Sequence, residues 1–200
     1  NKLNRAKPHD GYFYNNFSPS PNCSRLYFTI ENAKKIDGIR AYIEDNLEGR
    51  DRDYAIYCSL EAMSRVVNTT AQQFGFVKFF KPNAKNKIEV RPEEVVAGTI
   101  QTHQYDLLDL IKNKGIWANI LYIDPPYNQR QYAPNYHLYE TFVRNDNPIP
   151  QGVTGIRKWQ DDANSQFCKK ENALNHLEKI IKKTNINTIM VSYNSEGIIP

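Results

Sequence analysis

The chain has 200 residues, of which 40% are hydrophobic and 24% charged, and this composition excludes disordered, collagen-like and low-complexity proteins. A single domain is expected, because about 150 residues per domain is the usual prior. The net charge of +4 permits a nucleic-acid partner but does not require one.

The spacing of the cysteines and the hydropathy of the chain indicate in which cellular compartment the protein is expected. Cys23, Cys58 and Cys168 are odd in number and widely spaced, which argues against a disulfide framework and a Cys-x-x-Cys metal site. The histidines show no spacing to cysteines or carboxylates that would hold a metal. No apolar run reaches the roughly 18 residues of a membrane span. We therefore expect a cytoplasmic protein with reduced thiols, no metal and no membrane partner.

The first part of the chain predicts two amphipathic helices after an irregular segment. Residues 1–27 are rich in Asn, Pro, Ser and Tyr and show little periodicity. Apolar residues then recur at three- and four-residue steps over 31–47, which predicts a helix. A second helix is predicted over 53–67, and the polar residues 68–70 end it.

The segment 74–87 mixes aromatic and basic residues and contains no acidic residue. Lysines neutralise phosphates while aromatic rings stack or wedge, so this mixture suits a nucleic-acid surface. The alternative is a surface hairpin whose phenylalanines belong to the core and whose lysines are merely solvated. The predicted nucleic-acid contacts are Lys78, Phe79, Lys81, Lys85 and Lys87.

From residue 99 onward, short apolar runs alternate with helical patterns. Strands are predicted at 99–103, 118–123 (a buried strand) and 188–193, and helices at 105–112, 135–144 and 164–183. The last helix is expected to direct inward Phe167, Leu174, Leu177, Ile180 and Ile181. His137 could act as a base, but its place in an amphipathic pattern is typical of a packing residue. This alternation predicts an α/β fold with a largely parallel sheet covered on both faces.

The residues that follow two predicted strands have the most distinctive chemistry. Asp124-Pro125-Pro126-Tyr127 follows one strand directly, and the polar segment 192–197 follows another. In a parallel α/β sheet, ligands collect beyond the carboxyl ends of the strands. The two prolines fix the backbone and donate no N–H, so local carbonyls are left as acceptors.

This turn suits a reaction at a planar amino group, whose nitrogen is a poor nucleophile because its lone pair is delocalised. The Asp124 carboxylate and the Pro125 carbonyl can accept its two hydrogens, in bonds that strengthen as positive charge develops. Tyr127 offers a face on which a flipped-out base can stack. The alternative is a plain strand-terminating turn, since Asp and Pro are favoured there. A fixed four-residue string arises by chance in such a chain roughly once in a thousand.

The sequence around this turn resembles a known family. Residues 122–132, followed by Asn135-Tyr136-His137 and Glu140-Thr141, closely resemble the Dam-like, alpha-group amino-methyltransferases that act on adenine in DNA. The fourth motif of that family is Asp-Pro-Pro-Tyr. The segment 192–197 resembles the strand that follows it in such enzymes, and residues 32–37 resemble an upstream part.

The resemblance implies a Rossmann-like, S-adenosylmethionine-dependent methyltransferase sheet with helices on both faces. It implies S-adenosylmethionine as methyl donor and, as acceptor, the exocyclic N6 amino group of an adenine flipped out of double-stranded DNA. The implied catalytic residues are Asp124, Pro125, Pro126 and Tyr127. Asp124 and Asp106 would lie near the donor, although Asp106 could instead cap the helix over 107–112. Arg130 would contact phosphate or simply face solvent.

One feature of the family is not found. Its cofactor loop, a Phe-x-Gly-x-Gly turn, has no counterpart, because the nine glycines include no Gly-x-Gly pair. The chain also begins with Asn1 and stops at Pro200 inside an apolar run. We therefore expect a single catalytic-domain fragment over 1–200, incomplete at both ends, with the loop preceding Asn1. Within it, 70–97 is the candidate DNA-recognition insert.

These features predict an adenine methyltransferase of a restriction-modification or regulatory system, with a cognate restriction endonuclease as a candidate partner. The alternatives are methylation of cytosine N4, methylation of adenine in RNA, and an inactive nucleic-acid-binding remnant. Asp rather than Ser at position 124, together with the extension over 129–132, favours adenine.

Overall fold

The computed structural model describes residues 2–70, 72–114, 118–159 and 163–199. The chain divides into two compact units, which we call the helical unit (Asn1–Val95 and Pro134–Trp159) and the strand unit (Val96–Ala133 and Gln160–Pro200). The α-helices are α1 (Tyr12–Phe17), α2 (Ile30–Asn46), α3 (Gly49–Val66), α4 (Leu107–Lys114), α5 (His137–Arg144) and α6 (Lys170–Lys183). The strands are β1 (Ile120–Ile123) and β2 (Thr188–Val191), and short 3-10 turns lie at Leu3–Arg5, Asn83–Lys85, Ala133–Tyr136 and Gln166–Cys168.

Helices α2 and α3 confirm the two helices predicted from periodicity. Thr29 begins α2 by accepting a hydrogen bond from the Asn32 N–H at 3.2 Å, and α3 begins four residues before the predicted start. The apolar stripe of α2 packs against that of α3 in one core, to which the two helices contribute, among others, Ile36, Ile39, Ile43, Ala55, Ile56, Cys58, Ala62, Met63 and Val66. Burial of these stripes supplies most of the stability of such helices.

Residues 1–27 depart from the predicted irregular segment, because they form α1 and a 3-10 turn. Phe13 and Phe17 lie four residues apart on α1 and are buried in the same core. The carboxylate of Asp37, on α2, accepts from the N–H groups of Phe13 and Tyr14 at 2.8 and 2.9 Å, and so satisfies the first turn of α1. Burial raises the pKa of Asp37 to about 6. Gly11 is needed at this contact, because a Cβ there would lie 2.6 Å from Asp37 Cγ.

In the strand unit, β1 and β2 pair in parallel, with Ile120 opposite Thr188 and Ile123 opposite Val191. These strands confirm two of the three predicted. The predicted strand over 99–103 is wrong: in the described structure this stretch has no regular secondary structure, and Ile100 is 79% exposed. No described strand pairs with it, so its local β propensity has no ladder to stabilise it.

Burial in the strand unit is lower than predicted. Ile123 is the buried residue of β1, whereas Ile120 and Tyr122 are more than half exposed, because the described sheet has two strands and no further neighbour to cover them. Helix α6 begins at Lys170, later than predicted, and buries Ile180. Leu174 and Ile181, both expected to face inward, are exposed. Helices α4 and α5 match the predicted helices to within two residues.

Candidate active site at the carboxyl ends of the strands

The two parallel strands end at the same edge of the sheet. Ile123 and Val191 are register partners, and the Ser192 N–H donates to the Ile123 carbonyl at 2.9 Å. The turn 124–127 and the segment 192–197 therefore leave the sheet side by side. This is the juxtaposition expected from a parallel arrangement, where ligands collect beyond the carboxyl ends of the strands.

The turn 124–127 is held by its backbone and leaves two side chains open. Pro125 is buried, whereas Asp124 is exposed and Tyr127 is 43% exposed. The Tyr127 carbonyl accepts from the Ile198 N–H at 3.0 Å. Among the described residues, nothing forms an ion pair with Asp124 and no donor occupies the Pro125 carbonyl. A carboxylate, a carbonyl and an aromatic face are thus available together.

The segment that follows β2 folds into a hydrogen-bonded turn. Asn194 accepts from the Glu196 N–H through its side chain at 2.7 Å and from the Gly197 N–H through its carbonyl at 2.9 Å. The Tyr193 hydroxyl accepts from the Ile199 N–H at 3.0 Å. A Cβ at position 197 would lie 2.3 Å from Tyr193 Cε1, so the ring requires glycine there. These bonds fix the shape of the segment 192–197, which lies beside the turn 124–127.

The residues after Tyr127 are fixed to the segment that precedes α6. The Asn128 side chain accepts from the Arg130 N–H at 2.9 Å. The Gln131 amide pairs in both directions with the Ser165 backbone, at 2.8 and 3.2 Å, and Cys168 Sγ lies 3.2 Å from the Arg130 carbonyl. Sequence reasoning did not find the pairing of Gln131 with Ser165, because no local pattern links two such distant residues.

Asp106 begins helix α4. Its carboxylate accepts from the Leu108 N–H at 2.8 Å, and its carbonyl accepts from the Leu110 N–H at 2.9 Å. This is the geometry of a helix N-cap, so the capping interpretation is confirmed. A contact between Asp106 and a methyl donor stays a prediction.

The 74–87 segment forms an exposed surface of the helical unit. Phe79 is 69% exposed and Phe74 44%, and the exposed lysines are Lys78, Lys85 and Lys87. The segment contains no strand, so the hairpin is wrong, and these two rings lie outside the core. A role of the lysines in nucleic-acid binding stays a prediction. Phe76 instead packs on Tyr27, with ring centroids 5.2 Å apart.

Buried Asn68 organises this surface, and sequence reasoning missed it. Its side-chain amide donates to the carbonyls of Leu26, Val77 and Phe79 at 2.8–3.1 Å. Its Oδ1 accepts from the Lys81 N–H at 3.1 Å, and the Lys81 ammonium in turn donates to the Thr69 carbonyl. Asparagine commonly follows the end of a helix, so nothing in the sequence marks this one as special.

His137 is a packing residue rather than an accessible base. It is fully buried, with its Nε2 2.8 Å from the Gln73 carbonyl, and its ring packs edge-on against Phe17 and Tyr27. Burial lowers the pKa of His137 to about 4, so the ring is neutral at physiological pH.

Three features of the described residues concern metal sites, disulfides and membrane-spanning helices. The described residues contain no group of three or more His, Cys, Asp and Glu side chains placed to hold a metal. The three cysteines are free. None of the described helices is both long enough and apolar enough to span a membrane.

Known proteins resemble the chain along its length. A family model, the D12 class N6 adenine-specific DNA methyltransferase, matches residues 1–200. The type II methyltransferase M.NlaIII of Neisseria lactamica is 34% identical over 205 residues, covering 99% of this chain and 60% of that protein. M.FokI of Planomicrobium okeanokoites is 34% identical and the modification methylase StsI of Streptococcus sanguinis 36%, with 30% and 29% of their lengths covered. The chain thus spans between about a third and three fifths of these relatives. No solved structure matches it.

Proposed function

Because the chain belongs to the D12 class of N6 adenine-specific DNA methyltransferases, we propose that the full-length protein methylates N6 of adenine in double-stranded DNA, with S-adenosylmethionine as donor. The observation that supports this most directly is the parallel register of β1 and β2. It brings the turn 124–127 to the sheet edge where ligands bind, with Asp124 and Tyr127 exposed.

Asp124 and Pro125 hold the amino group of the adenine. The Asp124 carboxylate accepts one of its hydrogens and the Pro125 carbonyl the other. Both bonds strengthen as the nitrogen becomes tetrahedral and positive, so they stabilise the transition state more than the ground state. Asp124 can then take the proton that the cationic nitrogen releases.

Tyr127 and Pro126 define where the base lies. A base inside a duplex cannot reach the sheet edge, so the adenine must be flipped out, and stacking on the half-exposed Tyr127 ring offsets part of the unstacking cost. Pro126 restricts the backbone of the turn, so its two acceptors are oriented before the base arrives.

When bound, S-adenosylmethionine supplies the electrophilic methyl group. These residues fit such a molecule in part, because the exposed carboxylate of Asp124, which forms no ion pair with any described residue, lies at the sheet edge. We assign to Asp106 a weaker role beside the donor, since one of its carboxylate oxygens is engaged by α4. No Gly-x-Gly turn is present among the 200 residues. We also propose that the full-length protein has a Rossmann-like sheet with helices on both faces.

The DNA contacts proposed are those of the 74–87 surface, namely Lys78, Phe79, Lys81, Lys85 and Lys87, together with exposed Arg130 of the strand unit. The lysines would neutralise phosphates and Phe79 would stack or wedge. We assign target recognition to residues 70–97.

The names of the relatives, type II methyltransferases and a modification methylase, favour a restriction-modification system with a cognate endonuclease. The free cysteines suit the cytoplasm.

Nucleoside analysis of bacterial DNA tests this proposal. The full-length protein and its Asp124→Ala variant are expressed in a host without DNA methylation, and the DNA is digested to nucleosides. We expect N6-methyladenine from the parent protein and a strongly reduced amount from the variant. Methylated cytosine, or unmodified DNA from a folded and expressed parent protein, would contradict the proposal.

A further inference from the structure

A second candidate binding site lies in the helical unit, at the end of α3 and the beginning of α5. It is a pocket of about 260 Å³, and its lining includes Gln73, Lys81, Asn135, Tyr136 and Tyr139. The volume falls just below the roughly 300–1,000 Å³ of pockets that take drug-sized ligands. A single planar ring system is therefore the size of ligand that it suits.

Two buried polar atoms of this pocket have no partner among the described residues. Gln73 is 4% exposed and Asn135 is 2% exposed, yet Gln73 Nε2 and Asn135 Oδ1 make no hydrogen bond. Gln73 Nε2 lies near the Tyr139 hydroxyl without the geometry of a hydrogen bond. Since buried polar groups are nearly always paired, an unsatisfied donor and an unsatisfied acceptor in one pocket are two groups that a bound ligand could satisfy.

The Gln73 side chain is fixed by its other bonds. Its Oε1 accepts from the N–H groups of Leu138 and Tyr139 at 3.1 and 3.3 Å, at the beginning of α5. Its own N–H donates to the Asn135 carbonyl at 3.0 Å, which places the two residues side by side. The amide is thus held in place with its Nε2 group unpaired among the described residues, which is the preorganised state that favours specific binding.

The chemistry of the pocket matches the edge of a nucleobase. Amide side chains of Asn and Gln read bases that present an acceptor beside a donor, as adenine does with N7 and N6. Tyr136 is 52% exposed and offers a ring face for stacking. Lys81, from the basic 74–87 segment, lines the same pocket and supplies a positive charge near a nucleic-acid backbone.

We infer that this pocket binds one nucleobase of the DNA substrate by its hydrogen-bonding edge, with Gln73 as donor, Asn135 as acceptor and Tyr136 as stacking platform. The inference rests on the proposed function, which assigns the methylated adenine to the turn 124–127. The base in this pocket is therefore a second one, and its recognition contributes to the choice of DNA sequence.

Equilibrium DNA binding tests the inference. The methylated sequence is first located by sequencing DNA modified by the full-length protein. Fluorescence anisotropy then gives the Kd for a duplex that contains this sequence and for one of equal length with the sequence scrambled. The proteins compared are the parent, Asn135→Leu, Tyr136→Ala and the control Asn185→Leu, which makes the same change at an exposed site. Thermal melting establishes that each is folded.

The ratio of the two Kd values is the decisive quantity. We expect Asn135→Leu and Tyr136→Ala each to reduce it about tenfold or more, equivalent to about 1.4 kcal/mol, by weakening binding to the specific duplex alone. Asn185→Leu should leave the ratio unchanged. An unchanged ratio in folded Tyr136→Ala, whose side chain lies at the rim, would overturn the inference, as would equal weakening on both duplexes. A parent protein that methylates no DNA would instead contradict the proposed function.

Discussion

The helical unit and the strand unit differ in how their functional groups are held. In the helical unit, buried residues from seven stretches of the chain form one core, and polar side chains such as Asn68 and Asp37 are fixed by two or more hydrogen bonds each. In the described part of the strand unit, the buried apolar residues are few and the turn 124–127 is held mainly by backbone hydrogen bonds. The position of the turn 124–127 thus depends on strand register, whereas the stability of the helical unit depends on the packing of its core.

The largest difference between the units should appear in matched core substitutions. Ile43→Ala removes a fully buried side chain of the helical unit, and we expect a loss of about 2–5 kcal/mol in the free energy of unfolding. Ile120→Ala makes the same change on β1, where Ile120 is 55% exposed, and should cost less than about 1 kcal/mol. Urea unfolding followed by circular dichroism measures both. Equal losses would erase the distinction.

The second difference concerns pH, because two buried groups of the helical unit titrate in opposite senses. The folded pKa of His137, about 4, lies below its ordinary 6.5, so stability is lost as pH falls from 6.5 to 4. The folded pKa of Asp37, about 6, lies above its ordinary 3.8, so stability is lost as pH rises from 4 to 6. In the parent chain the two effects partly cancel.

Asp37→Asn removes one of these titrations. The amide cannot ionise, so the variant lacks the stability that Asp37 loses as pH rises from 4 to 6 and keeps only the titration of His137. Between pH 6.5 and 4 its stability should fall by up to about 3 kcal/mol, at about 1.4 kcal/mol per pKa unit. Urea midpoints measured across this range test the sign. A variant whose stability rises on acidification would refute the assignment to His137.

A smaller effect is expected at the segment that follows β2. Gly197→Ala places a Cβ against the Tyr193 ring and displaces the residues that contact the turn 124–127. We expect methyl transfer by the full-length protein to fall about tenfold or more, because small misplacements of a site are costly. Melting of the helical unit should be unaffected. Gly98→Ala, where a Cβ meets nothing within 4 Å, is the matched control and should leave activity unchanged.

The smallest effect is expected at the basic surface. Lys78→Ala should weaken binding to specific and scrambled duplexes alike and reduce the slope of log K against log salt by about 1. Lys182→Ala, an exposed lysine of α6, is the comparison and should leave the slope unchanged. Anisotropy titrations at several salt concentrations measure both. If the two variants change the slope equally, the 74–87 surface has no special role in DNA binding.

The features that were predicted correctly are those set by residues close together in the sequence. The 3.6-residue period located α2 and α3. The chemistry proposed for the turn 124–127 comes from its residue types and stays a prediction. The sequence placed both this turn and the segment 192–197 after strands, and the parallel pairing of β1 with β2 brings them to one edge. The strand predicted at 99–103 failed for the complementary reason, since β propensity without a neighbouring strand has nothing to pair with.

Long-range contacts explain what the sequence did not predict. Helix α1 forms because Phe13 and Phe17 are buried and because Asp37, on another helix, satisfies its first N–H groups. Gln73 and Asn135, each with a side-chain atom that is unpaired among the described residues, become neighbours only through folding. No periodicity or motif marks such pairs, because the residues that form them are distant along the chain or belong to different elements.

Turnover of Asp124 variants tests the central claim, that the turn 124–127 holds the reacting amino group, most directly. Methyl transfer from labelled S-adenosylmethionine to DNA is measured for the full-length protein, Asp124→Asn and Asp124→Ala, beside the Kd for the same DNA. We expect kcat to fall roughly 10²–10³-fold, the usual loss of a transition-state hydrogen bond, with the DNA Kd little changed. A kcat close to that of the parent protein in either variant would contradict the account.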